Sequence, residues 1–170
     1  MSQERPGQQW YVLYTRPKFE KKISMEIGFL QHECYLPMKS VTRNWSDRVK
    51  KIREPMFSGY LFVKTDLVYR TSFLQIPGVV RFVSTQGRPE TISPEEINRI
   101  KRIEENGATV RQEEYYTSGD KVKVRRGVFE GMEGILVRKV NSQPRFLIQL
   151  PLLKQAISVE ISVEDLVKLN

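Results

Sequence analysis

An α+β fold is what this 170-residue chain predicts: an antiparallel sheet with flanking helices, then a small β-barrel. Three observations lead there. Strand alternation and helical periodicity are interleaved as far as residue 106. From residue 118 onward the pattern becomes short strands separated by glycine, asparagine and proline. Between them, "ATVRQEEYYTS" (108–118) shows no usable periodicity and reads as a linker. The expected organisation is a first domain over 8–106, a linker over 107–117 and a barrel over 118–170.

"WYVLYT" (10–15) is aromatic and β-branched, hence a strand. Pro17 suits the first turn of a helix, and Phe19, Ile23, Ile27 and Leu30 recur at helical spacing. Lys18, Lys21 and Lys22 lie off that stripe, which leaves one side positive. "CYLP" (34–37) is a short strand ended by proline. Residues 38–57 alternate loosely around "NWSD" and read as an extended hairpin with six basic residues. "GYLFVKT" (59–65) is the clearest strand, with Tyr60 and Phe62 on one face and Leu61 and Val63 on the other. Asp66 can cap a short helix reaching about Gln75, stopped by Pro77 and Gly78. "VVRFVS" (79–84) is a further strand. Ser93-Pro94-Glu95-Glu96 is a capping box, Ile97, Ile100 and Ile103 follow on one helical face, and Asn106-Gly107 ends the helix.

The second half offers "KVKV", "GILVRKV", "RFLIQL", "ISVEI" and "LVKL", five strands fit for a small barrel. A helix over "FLIQLPLLKQAI" would place Pro151 in its interior at about 3 kcal/mol, and is rejected.

The 28 Lys and Arg against 20 Asp and Glu give a net +8, which favours a polyanionic neighbourhood. The excess is concentrated: residues 10–64 carry 11 basic and 5 acidic side chains, residues 106–170 only 10 and 8. The polyanion contact is therefore expected in the first third. A single cysteine, Cys34, excludes an internal disulfide framework and suggests a reducing compartment. No stretch approaches the ~20 apolar residues of a membrane span, so a cytoplasmic protein without membrane contact is expected.

"GDKVKVRRGVFEGMEGILVRKV" (119–140) could be a phosphate loop, a nucleic-acid patch or barrel turns. A phosphate loop needs Gly-Lys-Ser/Thr opening a helix, which is absent. Gly127, Gly131 and Gly134 are expected to supply positive φ in tight turns. The stretch reads as structural.

It also resembles the KOW motif, a Gly-Asp-x-Val strand followed by Gly-x-Phe-x-Gly-x-x-Gly, through Gly119, Asp120, Val122, Val124, Gly127, Phe129, Gly131 and Gly134. "WYVLYTRPKFEKK", "YLP", "EPMFSGYLFVK", "IPGVVRFV" and "ISPEEINRI" occur in the order of the N-terminal (NGN) domain of NusG-type transcription elongation and antitermination factors. The resemblance runs from about Trp10 to Leu169. The hairpin region looks closest to specialised paralogues, the RfaH- and UpxY-like antiterminators.

That resemblance implies a factor that binds the clamp helices of the largest RNA polymerase subunit and suppresses pausing or termination. Its clamp-binding counterparts here are Tyr14, Phe57, Tyr60 and Phe62. A second polymerase contact would fall on Arg70, Thr71 and Ser72, although the family's histidine-threonine-threonine form is not kept. DNA contacts would come from Arg16 and Lys22 with Lys18 and Lys21 beside them, and from the hairpin residues Arg43, Arg48, Lys50 and Lys51. Where RfaH-like members place a DNA-reading histidine this chain has Glu26, which argues against the same operator sequence. The barrel would recruit ribosomal protein S10 or Rho through Leu152 or Leu153, one of which is expected in the core. A general housekeeping NusG factor and a KOW-type RNA-binding accessory protein of the ribosome are the alternatives.

His32 and Cys34 lack partners in sequence for a metal or nucleophilic site, and read as a surface histidine and a buried thiol. The pairs Glu95/Glu96, Glu104/Glu105 and Glu113/Glu114 fall at a helix start, a helix end and the linker. No catalytic or metal residue and no cofactor is expected, and the protein is read as a non-enzyme.

Overall fold

Strand β1 (Gln9–Thr15) is the centre of the first sheet in this computed structural model, which describes residues 7–45, 47–107, 110–113, 119–137, 145–153 and 155–169. Helix α1 (Glu20–Phe29) follows, then β2 (Glu33–Tyr35), the hairpin β3 (Met38–Asn44) and β4 (Val49–Pro55), and β5 (Tyr60–Thr65). A single 3-10 turn leads into α2 (Arg70–Leu74), followed by β6 (Val79–Phe82), β7 (Ser84–Thr85), β8 (Arg88–Pro89), β9 (Thr91–Ile92) and α3 (Pro94–Glu105). The chain divides into two compact units, Met1–Pro37 with Phe57–Ile97, and Met38–Met56 with Asn98–Asn170.

In the first unit the strand order is β2-β5-β1-β6, with β9 also pairing β1, and every pairing is antiparallel. Tyr11, Leu13, Leu61 and Val63 form a core with Ile23 and Ile27 of α1, Phe73 of α2, Ile76 and Phe82. The alternate residues Trp10, Val12 and Phe62 are buried as well. Continuous apolar runs rather than strict alternation are what a strand covered on both faces requires.

Helix α1 starts later than Pro17 suggests. Lys18 takes a left-handed φ of 71°, so Pro17 and Lys18 form a turn and Phe19 becomes the cap. Phe19 lies so close to Gly78 that an added Cβ would sit 2.5 Å from the Phe19 ring. Leu30 is exposed rather than part of the buried stripe, because it falls just past the last turn. Asp66 caps its 3-10 turn as expected, its carboxylate accepting from the Val68 amide at 2.9 Å. The strand expected over 79–84 stops at Phe82. Ser84 starts a two-residue hairpin whose centre, Gln86 and Gly87, has φ of 50° and 78°, a type I′ signature.

In the second unit β3 and β4 pair in register from Met38↔Pro55 to Asn44↔Val49. At the start of α3, still in the first unit, Ser93 Oγ accepts from the Glu96 amide at 3.2 Å; Ile97, Ile100 and Ile103 along this helix are buried. A six-stranded antiparallel sheet runs in the order β10-β14-β13-β12-β11-β15. Its members are β10 (Arg111–Glu113), β11 (Asp120–Val124), β12 (Glu133–Val137), β13 (Arg145–Leu150), β14 (Gln155–Glu160) and β15 (Leu166–Lys168). Five are the expected strands. The sixth, β10, arises inside the expected linker, since Arg111–Glu113 pairs along β14 through its backbone and needs no side-chain periodicity. Pro151 opens a 3-10 turn, Pro151–Leu153, between β13 and β14, and the helical alternative is absent. Residues 138–140, the end of the expected "GILVRKV" strand, lie outside the described residues.

The glycines of the opening motif divide by cause. Gly127 and Gly131 have φ of 88° and 82°, as expected of turn residues. Gly134 does not: it lies in β12, and a Cβ there would overlap the Leu147 carbonyl oxygen and meet the Phe146 ring at 2.7 Å. Space, not backbone sign, requires it.

Candidate functional site

Across β5, β1 and β6 the register places Tyr60 opposite Tyr14, and Tyr14 opposite Arg81. The two tyrosine rings lie 5.2 Å apart at 48°, and the Arg81 guanidinium stands 5.4 Å from the Tyr14 ring centre. Both tyrosines are half-buried and Arg81 is exposed, which makes an aromatic-cationic row on the first unit. Burial pushes the Tyr60 phenol above its ordinary value of 10.0; neighbouring Tyr14 adds to this and Arg81 opposes it. The hydroxyl is thus a neutral donor at physiological pH.

The turn before Tyr60 is anchored from α1. Glu20, 2% exposed, accepts the Gly59 amide at 2.7 Å, and Gly59 O accepts the Thr15 amide at 2.8 Å. Gly59 has φ 81°, and a Cβ there would press on Thr15 O and the Tyr14 ring at 3.4 Å.

Phe57 and Phe62, expected beside Tyr14 and Tyr60, are both fully buried. Of the four aromatics expected to form the patch, only Tyr14 and Tyr60 therefore keep exposed surface. Phe62 packs edge-on to Phe57 at 6.3 Å and stacks with Tyr35 at 6.1 Å. Its place in a strand covered on both faces is the reason. Arg81 was not anticipated; its signal was an arginine alternating out of the apolar run "VVRFV".

Arg70, Thr71 and Ser72 are exposed together on α2. Arg16, Lys18, Lys21 and Lys22 are exposed around the start of α1, so that end presents positive charge. On the hairpin Arg43, Arg48, Lys50 and Lys51 are all exposed, with Arg43 held by Glu54 at 3.1 Å and Arg48 within 3.9 Å of Asp47. Trp45 at the hairpin turn is also exposed. Leu153 is buried and Leu152 half-buried, so of this pair only Leu152 has surface to offer.

Cys34 packs against the core of the first unit, and burial pushes its thiol up to about 11, the Ser24 hydrogen bond pulling the other way. His32 is half-buried rather than a free surface residue. Its Nδ1 lies 3.3 Å from Thr65 Oγ1, and its ring is 4.9 Å from both Tyr69 and Phe73. Among the described residues no group of three or more His, Cys, Asp or Glu side chains could hold a metal ion. No described helix is long and apolar enough to cross a membrane.

A family model described as "Transcription termination factor nusG" matches residues 8–101, more than half of the chain. The chain belongs to the NusG family. It is 25% identical over 185 residues to the transcription termination/antitermination protein NusG of Pasteurella multocida (strain Pm70), covering 100% of both chains. It is 24% identical over 174 residues to the corresponding NusG protein of Haemophilus influenzae, covering 95% of this chain and 94% of the relative. Its fold is similar to a solved structure titled "Domain interaction in Thermotoga maritima NusG", with a TM-score of 0.61, 20% identity and coverage of 96% and 98%. The NusG family is one of non-enzymatic transcription factors, and these relatives are described as termination/antitermination proteins.

Proposed function

We propose that this NusG-family protein is an elongation and antitermination factor that grips the clamp helices of the largest RNA polymerase subunit. In this reading the domain over 8–106 binds polymerase and the segment 118–170 acts as a KOW barrel of SH3-like form. The carrying observation is the Tyr60–Tyr14–Arg81 row, half-buried aromatics anchored from behind. Such residues carry a disproportionate share of interface energy because they bury large area with little rotamer entropy to lose. Arg70, Thr71 and Ser72 supply a second polymerase contact. Arg16, Lys18, Lys21 and Lys22 neutralise DNA phosphates in the elongation complex. The factor works by biasing polymerase between elongating and paused states, contributing contacts to one of them.

The reading extends to a specialised, operon-specific paralogue in the cytoplasm, on the resemblance of the hairpin segment to that branch. Leu152 would meet ribosomal protein S10 or Rho.

The test is co-purification of the full chain with core RNA polymerase, native against Tyr14→Ala/Tyr60→Ala, both shown folded by circular dichroism. Loss of binding in the variant alone supports the reading. Failure of the native protein to bind, with retained salt-sensitive binding to RNA or ribosomes, replaces it with the ribosome-accessory alternative.

A further inference from the structure

The β3–β4 hairpin ends in an arrangement that stability does not explain. Trp45 is 53% exposed although its backbone is fixed, its amide donating to Arg48 O at 2.8 Å across the turn. Two cations stand over its ring: the Arg48 guanidinium at 5.6 Å and the Lys50 ammonium at 5.7 Å from the centroid. Two rungs back, and so on the same face, Arg43 lies directly opposite Lys50. Like charges facing each other across a two-stranded ladder are destabilising, and Glu54, which holds Arg43 at 3.1 Å and Lys39 at 3.7 Å, offsets this only in part. By alternation, Lys39, Arg43, Trp45, Arg48 and Lys50 share one face. Residues 38–56 carry six basic and two acidic side chains.

We infer that Trp45 is a base-stacking platform for single-stranded nucleic acid, with Arg48, Lys50 and Arg43 receiving the phosphates on either side of the stacked base. An indole presents a flat face that any unpaired base can cover, and the flanking cations neutralise the backbone within one nucleotide of it. A duplex offers no such base: its faces are already stacked. The site therefore discriminates strandedness, not sequence. Its residues are distinct from Tyr14 and Tyr60, which carry the proposed polymerase contact.

The chain reports on this site itself, because its other tryptophan, Trp10, is only 5% exposed. Full-length protein is titrated with oligothymidylate, oligouridylate and a duplex of the same length, about 20 nucleotides, following tryptophan quenching and oligonucleotide anisotropy. Native protein is expected to bind the single strands with quenching and the duplex more weakly. Trp45→Ala should lose affinity on the order of tenfold, and Trp45→Phe should recover most of it. Arg48→Ala/Lys50→Ala should lower the slope of log affinity against log salt by about 1.4, two phosphates' worth on a single strand. A preference between the deoxyribose and ribose strands identifies which one the site takes, and equal binding means it reads only the shared base and phosphate. Unchanged melting temperatures keep folding out of the comparison, and Tyr14→Ala/Tyr60→Ala, expected to bind as native, separates this site from the polymerase reading. Native affinity in Trp45→Ala, or a duplex bound as tightly as the single strands, overturns the inference.

Discussion

The Glu20 carboxylate, in the first turn of α1, accepts the Gly59 amide at 2.7 Å and so fixes the turn that delivers Tyr60. A buried carboxylate gives a charge-assisted bond stronger than a neutral one, and removing it leaves the Gly59 N–H buried without an acceptor. Glu20→Ala is expected to lower stability by about 2 kcal/mol in urea unfolding, and Glu20→Gln by about half of that, since an amide oxygen still accepts. Equal stability of Glu20→Ala and native protein would show that the turn stands without this bond.

Tyr60 and Phe62 are two residues apart on β5 yet differ in consequence. Phe62→Ala empties a fully buried site and should cost about 3–5 kcal/mol, so a loss of polymerase binding in that variant would report unfolding. Tyr60→Ala truncates a half-buried ring and should leave the melting temperature within a few degrees while weakening polymerase capture. Thermal melts run beside the capture assay separate the two effects.

Cys34 gives a pH dependence of defined sign. Its thiol is raised from 9.0 to about 11 by burial, so the folded state holds the proton more tightly than the unfolded state. The associated stability is present below pH 9 and is lost as pH rises through about 11. At pH 8.5 the native thiol should react with iodoacetamide on the order of 50-fold more slowly than in urea, because only thiolate reacts. Equal rates in the two states would place Cys34 outside the core.

Gly134 and Gly127 should respond differently to alanine. Gly134→Ala drives a methyl into the Leu147 carbonyl of the adjacent strand, where the backbone cannot yield, and should cost several kcal/mol or prevent folding. Gly127→Ala meets open space and is strained only by its φ of 88°, at about 1–2 kcal/mol. Chemical denaturation of the two variants ranks them, and the reverse order would refute the division.

Leu152 and Leu153 allow the same comparison in one pair. Leu153→Ala should destabilise by about 2–5 kcal/mol and Leu152→Ala by less than 1. A binding defect in Leu152→Ala at unchanged stability would mark it as the partner anchor.

The chain by itself determined its main strands, its three helices and their principal stops, because these rest on local causes. Apolar spacing sets Ile23 and Ile27 inward, side-chain caps at Asp66 and Ser93 start a 3-10 turn and a helix, and Pro151 forbids a further helix. What it left open depends on neighbours distant in sequence. Strand β10 exists because β14 offers an unpaired edge, and backbone pairing leaves no periodic trace. The start of α1 is set by a turn at Lys18 and by Phe19 packing on Gly78, some sixty positions on. The aromatic set Tyr14, Phe57, Tyr60 and Phe62 was legible as residue types, but its division into surface and core was not. Only the tertiary packing decided that Phe57, in the turn before β5, and Phe62, within the sheet, are buried while Tyr14 and Tyr60 keep surface and gain Arg81. Burial is a property of what packs over a strand, and no single strand encodes it.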